Sequence, residues 1–212
     1  MTTLFSDELK DYLNSLVPKR EDIVLEMEER AAREGFPIIG PASGQACYLM
    51  ARMINAKKIF ELGSGFGYST AWFAKAVQEN GGGEVHHVVW DQSLSLEAKK
   101  NMDQLGYTDI IHYAVGEAVK TLEASNEIFD LIFCDVDKEG YPEAVQMAGQ
   151  KLRKGGLLII DNMLWSGDVY NLNDQSATTQ GIRDATEIFT KSKQWIFSLL
   201  PIRDGIIVAM KD

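Results

Sequence analysis

Cysteine is scarce. Cys47 and Cys134 are the only two in 212 residues, far apart and each in an apolar setting. That excludes a disulfide-stapled secreted scaffold and suits a reducing compartment, the cytoplasm, with both thiols in the core. Long apolar runs are missing as well. Gly155 to Ile160 and Gly205 to Met210 have strand length, short of the roughly 18 residues that cross a bilayer, so no membrane partner is expected. Met1 to Lys10 carries Asp7 and Glu8 and lacks a basic flank followed by an apolar stretch, so it does not read as a secretory signal. Basic charge is in deficit: 21 Lys and Arg face 31 Asp and Glu, a net of −10, with no Lys/Arg cluster longer than two. Such a chain repels phosphate backbones, which disfavours nucleic acid as a partner. The three histidines, His86, His87 and His112, show no zinc-site spacing with each other or with the cysteines, so no zinc site is expected.

What is present is an ordinary folding composition, 45% hydrophobic and 25% charged, enough for one domain over residues 1–212. Residues 57–212 alternate short apolar runs with amphipathic stretches. Lys57 to Leu62, Val85 to Trp90, Ile110 to Val115, Phe129 to Asp135 and Leu157 to Asp161 read as strands. Tyr68 to Gln78, Leu94 to Leu105, Glu117 to Ala124 and Pro142 to Leu152 read as helices between them. The alternation predicts an α/β fold, a parallel sheet with helices on both faces. Trp195 to Leu200 and Ile206 to Met210 read as a closing antiparallel hairpin. Residues 1–56 hold three helices, Asp7 to Leu16, Glu21 to Arg33 and Ala42 to Asn55.

The segment Glu61-Leu62-Gly63-Ser64-Gly65-Phe66-Gly67-Tyr68-Ser69 is a strand end, a glycine turn and a helix start. A dinucleotide fingerprint needs a third glycine where Tyr68 stands, and Glu61 would repel phosphate. S-adenosylmethionine, cationic and without phosphate, fits this charge pattern. Asp91, after the second strand, is placed for ribose hydroxyls, and it is equally a good helix cap. Gly116-Glu117-Ala118 can edge the adenine or simply start a helix.

Two further strands end in oxygen donors, at Asp135-Val136-Asp137-Lys138 and at Asp161-Asn162. Strand C-termini of a parallel sheet meet at one edge, so Asp135, Asp161 and Asn162 can converge there. Two carboxylates and an amide oxygen suit Mg²⁺, Mn²⁺ or Ca²⁺, and like carboxylates left unpaired would raise one another's pKa. The alternative is that these acids cap the helices that follow. Lys138 lies one turn from Asp135, as a general base or as an ion-pair partner of Asp137 or Glu139. In Met163 to Ala177, too polar and glycine-punctuated for a core element, Trp165 and Tyr170 either sandwich a planar ring or pack the loop onto the body.

The runs Phe60 to Ser69 (FELGSGFGYS), Phe129 to Tyr141 (FDLIFCDVDKEGY), Gly155 to Gly167 (GGLLIIDNMLWSG) and Leu200 to Ala209 (LPIRDGIIVA) resemble the cation-dependent O-methyltransferases of the caffeoyl-CoA and catechol type, from about Gly40 onward. The resemblance implies a class I methyltransferase, Rossmann-like fold: a seven-stranded, mostly parallel sheet with an antiparallel last strand. It implies N-terminal helices that contribute to the substrate site and to a homodimer contact. It makes Asp135, Asp161 and Asn162 metal ligands, Lys138 the base near the acceptor hydroxyl, and Glu61, Gly63, Ser64, Ser69, Asp91, Ala118 and Asp135 cofactor contacts. Ile39 and Gly40 would line the methionine end, and Trp165, Ser166 and Tyr170 the substrate. Pro37, Glu117 and Trp90 depart from the commoner residues of the family and bear on the pocket wall.

The expected reaction is in-line methyl transfer from S-adenosylmethionine to one hydroxyl of a vicinal dihydroxy aromatic. A hydroxylated tRNA uridine as acceptor keeps the same chemistry but meets the −10 charge. A non-catalytic Rossmann-like nucleotide-binding module is the alternative from another class.

Overall fold

The computed structural model describes residues 6–212, so the first half of the Met1 to Lys10 segment lies outside the described residues. Three N-terminal helices, α1 (Asp7–Ser15), α2 (Asp22–Glu34) and α3 (Gly40–Met53), precede the sheet. The core then runs β1 (Lys58–Leu62), α4 (Tyr68–Glu79), β2 (Glu84–Val89), α5 (Gln92–Gln104), β3 (Ile111–Val115), α6 (Ala118–Ala124), β4 (Phe129–Cys134), α7 (Tyr141–Lys151) and β5 (Leu152–Ile160). It closes with α8 (Ala177–Lys191), β6 (Trp195–Leu200) and β7 (Ile206–Lys211). The seven strands take the order β3-β2-β1-β4-β5-β7-β6. β1 to β5 pair in parallel, and β7 lies antiparallel between β5 and β6.

Strand parity explains how both faces are filled. Ile59, Leu131, Phe133, Leu157 and Ile159 enter one apolar cluster, together with residues of α2, α3 and α4. Their neighbours Phe60, Leu62, Ile132, Cys134, Leu158 and Ile160 enter the other, with α6, α7 and α8. Successive side chains of a strand point to opposite faces, so near-continuous apolar runs are what a doubly covered sheet requires. Cys47 and Cys134 are both buried and both free thiols.

Two elements differ from the sequence expectation. β5 begins at Leu152, five residues before the expected Leu157, because Leu152 pairs with Phe129 across a register shift on β4. Gly155 takes φ +72 there, and the polar, glycine-containing start hid the strand. α8 was not expected at all. It is capped by Ser176, which accepts from Thr179 N, and it buries Ile182, Ala185 and Phe189. Four threonines in a helix of weak intrinsic propensity masked that stripe. Among the described residues, no helix is long and apolar enough to cross a membrane.

Candidate functional site

The crevice lies over the C-terminal ends of β1, β4 and β5, where backbone hydrogen bonds continue one residue past each strand. Asp135 N donates to Leu62 O at 2.8 Å, and Asp161 N donates to Cys134 O at 3.1 Å. The strand tips are thereby held in step, and the acids that follow them share one rim. Gly63 takes φ +85 beside this rim. Ser64 then ties the loop to β2: its amide donates to Val88 O at 3.1 Å, and its Oγ accepts from Val88 N at 3.1 Å. A cleft of about 290 Å³ opens between this loop and the segment before α3. Ile39, Gly63, Ser64, Ser69 and Asp135 line it together with Phe36, Pro37 and Phe66. The departure at Pro37 is therefore part of the cleft wall.

Glu61 is fully buried beneath this loop and has both carboxylate oxygens engaged. Ser69 Oγ donates to Oε1 at 2.5 Å and Thr70 Oγ1 to Oε2 at 2.6 Å, fastening the first turn of α4 to β1. Burial pushes its pKa up from 4.5 to about 7 against those two hydrogen bonds. Thr70 Oγ1 also lies 3.0 Å from His87 Nδ1, and burial pushes the His87 pKa down to about 4. Glu61 is thus a buried brace beneath the cleft, and the cleft lining does not include it.

Asp91 is the N-cap of α5. Ser93 N and Leu94 N donate to its Oδ1 at 2.7 and 3.0 Å, and the Ser93 hydroxyl donates to the same oxygen. Capping therefore takes Oδ1. Glu117 caps α6 in the same way through Val119 N and Lys120 N, with Ala118 buried behind it. Trp90, beside Asp91, is exposed.

Lys138, buried in a short 3-10 turn, organises the acidic rim. Its Nζ donates to Asp135 Oδ1 at 2.9 Å, to Asn162 Oδ1 at 2.8 Å and to Val136 O at 3.2 Å. Its partner is therefore Asp135. Of the two partners considered from sequence, Glu139 turns away to accept from Thr178 Oγ1 at 2.7 Å. Lys138 Nζ also stands 5.0 Å from the Tyr141 ring centre and 5.6 Å from that of Trp165. Arg203 Nη1 lies 3.1 Å from Asp161 Oδ2. Asp161 is buried, and burial together with the charge of Asp135 pushes its pKa up against the pull of Arg203. The two carboxylates thus already face two side-chain cations, a resolution of their repulsion that spacing did not anticipate. One atom remains unanswered. Among the described residues, the buried Asp161 Oδ1 has no hydrogen-bond partner.

Asp204 and Arg203 are the residues that sequence reasoning left unassigned, although both stand in the quoted block LPIRDGIIVA. Asp204 Oδ1 accepts from Ser166 N at 2.7 Å, and Asp204 Oδ2 lies 3.5 Å from Asn162 Nδ2, which turns Asn162 Oδ1 toward Lys138. Met163 N and Leu164 N donate to Gly205 O and Asp204 O, zipping the two loops together. Asn162, Trp165, Ser166 and Arg203 all hold positive φ, so four of the five non-glycine residues in that conformation among the described residues border this crevice. Such strain collects where surrounding structure imposes it. Trp165 is half-buried, Ser166 is exposed and Tyr170 is 63% exposed. The aromatic pairs among the described residues do not include Trp165 with Tyr170. Gly40 starts α3, and a Cβ there would sit 4.0 Å from Arg203 Cδ, so Gly40 approaches the crevice from α3.

The histidines behave differently from their spacing. His86 and His112 are cross-strand neighbours on β2 and β3, at the opposite edge of the sheet from the crevice.

Residues 17–212 match the family described as O-methyltransferase. A catechol O-methyltransferase from Niastella koreensis is 32% identical over 189 residues, covering 86% of this chain and 85% of that protein. Among solved structures, the O-methyltransferase from Bacillus cereus in complex with SAH superposes with a TM-score of 0.87 at 24% identity, covering 97% of each chain. TomG from Streptomyces achromogenes in complex with SAM gives a TM-score of 0.87 at 23% identity, covering 96% of each chain. These two likenesses speak for the fold, the class I methyltransferase fold with its antiparallel β7. With the family match over nearly the whole chain and a catechol O-methyltransferase at 32% identity, the chain belongs to the O-methyltransferase family and is an enzyme of that class.

Proposed function

We propose that the chain transfers the methyl group of S-adenosylmethionine to one hydroxyl of a small catechol-like substrate, with a divalent cation, magnesium ahead of manganese or calcium, held by Asp135, Asp161 and Asn162. One observation carries the reading: the buried Asp161 carboxylate leaves Oδ1 without a partner beside two more oxygen donors on the rim of the donor cleft. An unanswered buried acceptor is costly unless something binds it, and an all-oxygen donor set suits a hard cation. The residues present therefore fit such an ion. The relative named catechol O-methyltransferase supports a small-molecule acceptor.

The donor brings an electrophilic methyl on a sulfonium, and the chain's task is placement. Gly63, Ser64 and Ser69 with Ile39 and Gly40 form the donor wall. Asp91, whose Oδ1 caps α5, would offer Oδ2 to the ribose, and Ala118 would contact the adenine. Glu61, buried under the glycine turn, braces that wall from below through Ser69 and Thr70. A phenolic hydroxyl, with pKa near 10, is mostly protonated at neutral pH, and a bound cation would lower that value as it does for water. Lys138 Nζ, held beside Asp135 and Asn162, is the proposed acceptor of that proton. Trp165, Ser166 and Tyr170 flank the acceptor. Orientation of this kind supplies up to roughly 7 to 11 kcal/mol. The N-terminal helices would complete the substrate site and a homodimer contact, and the scarcity of cysteine supports a cytoplasmic setting.

The test is methyl transfer to catechols, flavonoids, hydroxycinnamoyl thioesters and tRNA, with Mg²⁺ or with chelator, in the wild type, Asp135→Ala and Asp161→Ala. Transfer to a vicinal diol that chelator abolishes, Mg²⁺ restores and both substitutions remove is the expected result. Activity that survives chelator and both substitutions overturns the metal, and transfer to tRNA alone overturns the acceptor.

A further inference from the structure

The edge of the sheet remote from the crevice carries a group that the methyl-transfer reading does not use. Glu84 and His86 stand two residues apart on β2, on one face of the strand. His112 on β3 is the direct cross-strand partner of His86. His112 Nε2 lies 3.0 Å from Glu84 Oε2, and His86 Nε2 lies 3.5 Å from Glu84 Oε1. One donor atom from each of the three side chains falls within 4.8 Å of the others. Four tetrahedral ligands at the usual zinc distances stand about 3.3 Å from one another, and the two measured separations bracket that spacing.

We infer that Glu84, His86 and His112 form a binding site for a borderline divalent transition metal, Zn²⁺ or Co²⁺ in kind, that clips edge strand β3 to β2.

Three observations support this beyond proximity. His86 Nε2 is buried and faces Glu84 Oε1 at 3.5 Å without completing a hydrogen bond, although an imidazole nitrogen shut away from water ordinarily finds one. The His86 ring is held rigidly, stacked at 5.7 Å on Phe60 and met edge-on by Phe129 at 5.1 Å, so its orientation toward Glu84 is fixed by packing. Around the trio stand Lys58, whose Nζ is 2.7 Å from Glu84 Oε1, and Glu127, which also pairs with Lys58. Lys58, Glu84 and Glu127 together therefore carry one net negative charge, and Lys58 keeps a carboxylate partner in Glu127 when Glu84 turns to a metal. Two imidazole nitrogens and one carboxylate oxygen select Zn²⁺, Co²⁺ or their neighbours over Mg²⁺, which takes oxygen ligands. Linear spacing concealed the set because His86 and His112 are 26 positions apart and meet only through the parallel pairing of β2 and β3.

The experiment titrates the chelator-treated full chain with Zn²⁺, by calorimetry, and with Co²⁺, by its visible ligand-field bands, in saturating Mg²⁺ so that the oxygen-lined crevice is not the site read. The variants are His112→Ala, at an exposed strand position, and Glu84→Gln. One equivalent of Zn²⁺ bound in the presence of Mg²⁺, with affinity at least tenfold weaker in both variants and methyl transfer unaltered in His112→Ala, is expected. Binding equal in wild type and His112→Ala, Zn²⁺ uptake that Mg²⁺ competes away, or an affinity weaker than about 100 µM overturns the inference. None of the binding readouts needs an active methyltransferase, so the site stands or falls independently of the proposed reaction.

Discussion

A Cβ on Gly63 would lie 2.4 Å from the carbonyl oxygen of Asp135. The first glycine of the loop after β1 and the first acid of the crevice are therefore in backbone contact across β1 and β4. Leu62 O already accepts from Asp135 N at 2.8 Å, so the two chains leave the sheet side by side. Gly63 is glycine for two reasons, its φ of +85 and this approach.

Gly63→Ala should consequently act on both sites at once. A left-handed alanine costs about 1 to 2 kcal/mol and the overpacked contact about as much again, so urea unfolding should lose about 2 to 4 kcal/mol. Binding of S-adenosylhomocysteine, read by calorimetry, should weaken in the same variant. A midpoint and a ligand affinity both equal to the wild type would mean that the loop and the β4 tip are not coupled.

Glu61 predicts a pH dependence. Its folded-state pKa is raised from 4.5 to about 7, so between those values the folded chain holds a proton that the unfolded chain has lost. The stability this contributes is complete below pH 4.5 and disappears as pH rises through about 7. The shift of about 2.5 units corresponds to about 3 kcal/mol. Glu61→Gln keeps the shape without the titration. The wild type should therefore lose about 3 kcal/mol relative to the variant between pH 4 and pH 8 in urea melts. His87, whose pKa burial pushes down to about 4, has the opposite slope and is common to both proteins. Parallel pH profiles would show that Glu61 is ionised without cost.

The sheet was legible because burial on both faces writes itself as unbroken apolar runs, Leu131 to Cys134 and Leu157 to Ile160. The acids at the tips were legible for a related reason: a polar residue that ends such a run lies at the sheet's edge. Which partner each acid takes was not. Lys138 meeting Asp135 and Asn162, and Arg203 meeting Asp161, depend on loops brought together by Asp204 and by helix α8, both distant in sequence. Asp91 and Glu117 show the other limit. Capping and ligand binding call for the same residue type at the same position, so sequence could place them but not divide their two oxygens.

Arg203 would link stability to the proposed metal. Its guanidinium is the counter-ion of the buried Asp161 Oδ2, yet it occupies a left-handed position that glycine takes at no cost. Arg203→Gly should cost about 1 to 3 kcal/mol in chelator, a buried ion-pair loss discounted because the arginine is 37% exposed. Mg²⁺ should then stabilise the variant more than the wild type, since the ion answers a carboxylate that has lost its partner. Thermal melts with and without Mg²⁺ measure the difference. An equal Mg²⁺ increment in both proteins would separate Asp161 from any bound cation.

Gly181 sets the position of Lys138 from the opposite side. A Cβ at this helical glycine would meet Lys138 O at 2.3 Å and Glu139 Cα at 2.9 Å, so α8 rests directly on the turn that carries the lysine. In an open helix Gly→Ala gains about 1 kcal/mol, and here that gain is set against overpacking of about 1 to 3 kcal/mol, leaving a small net change in unfolding. The turn cannot yield without moving Lys138 Nζ away from Asp135 and Asn162, and misplacement of a reacting group by about 1 Å can cost a hundredfold in rate. Gly181→Ala should therefore lower kcat by about tenfold or more while the donor KM changes little, because Gly63, Ser64 and Ser69 stand on other elements. A loss of stability with kcat intact would reduce Gly181 to a packing position and remove the need for Lys138 to be held where it is.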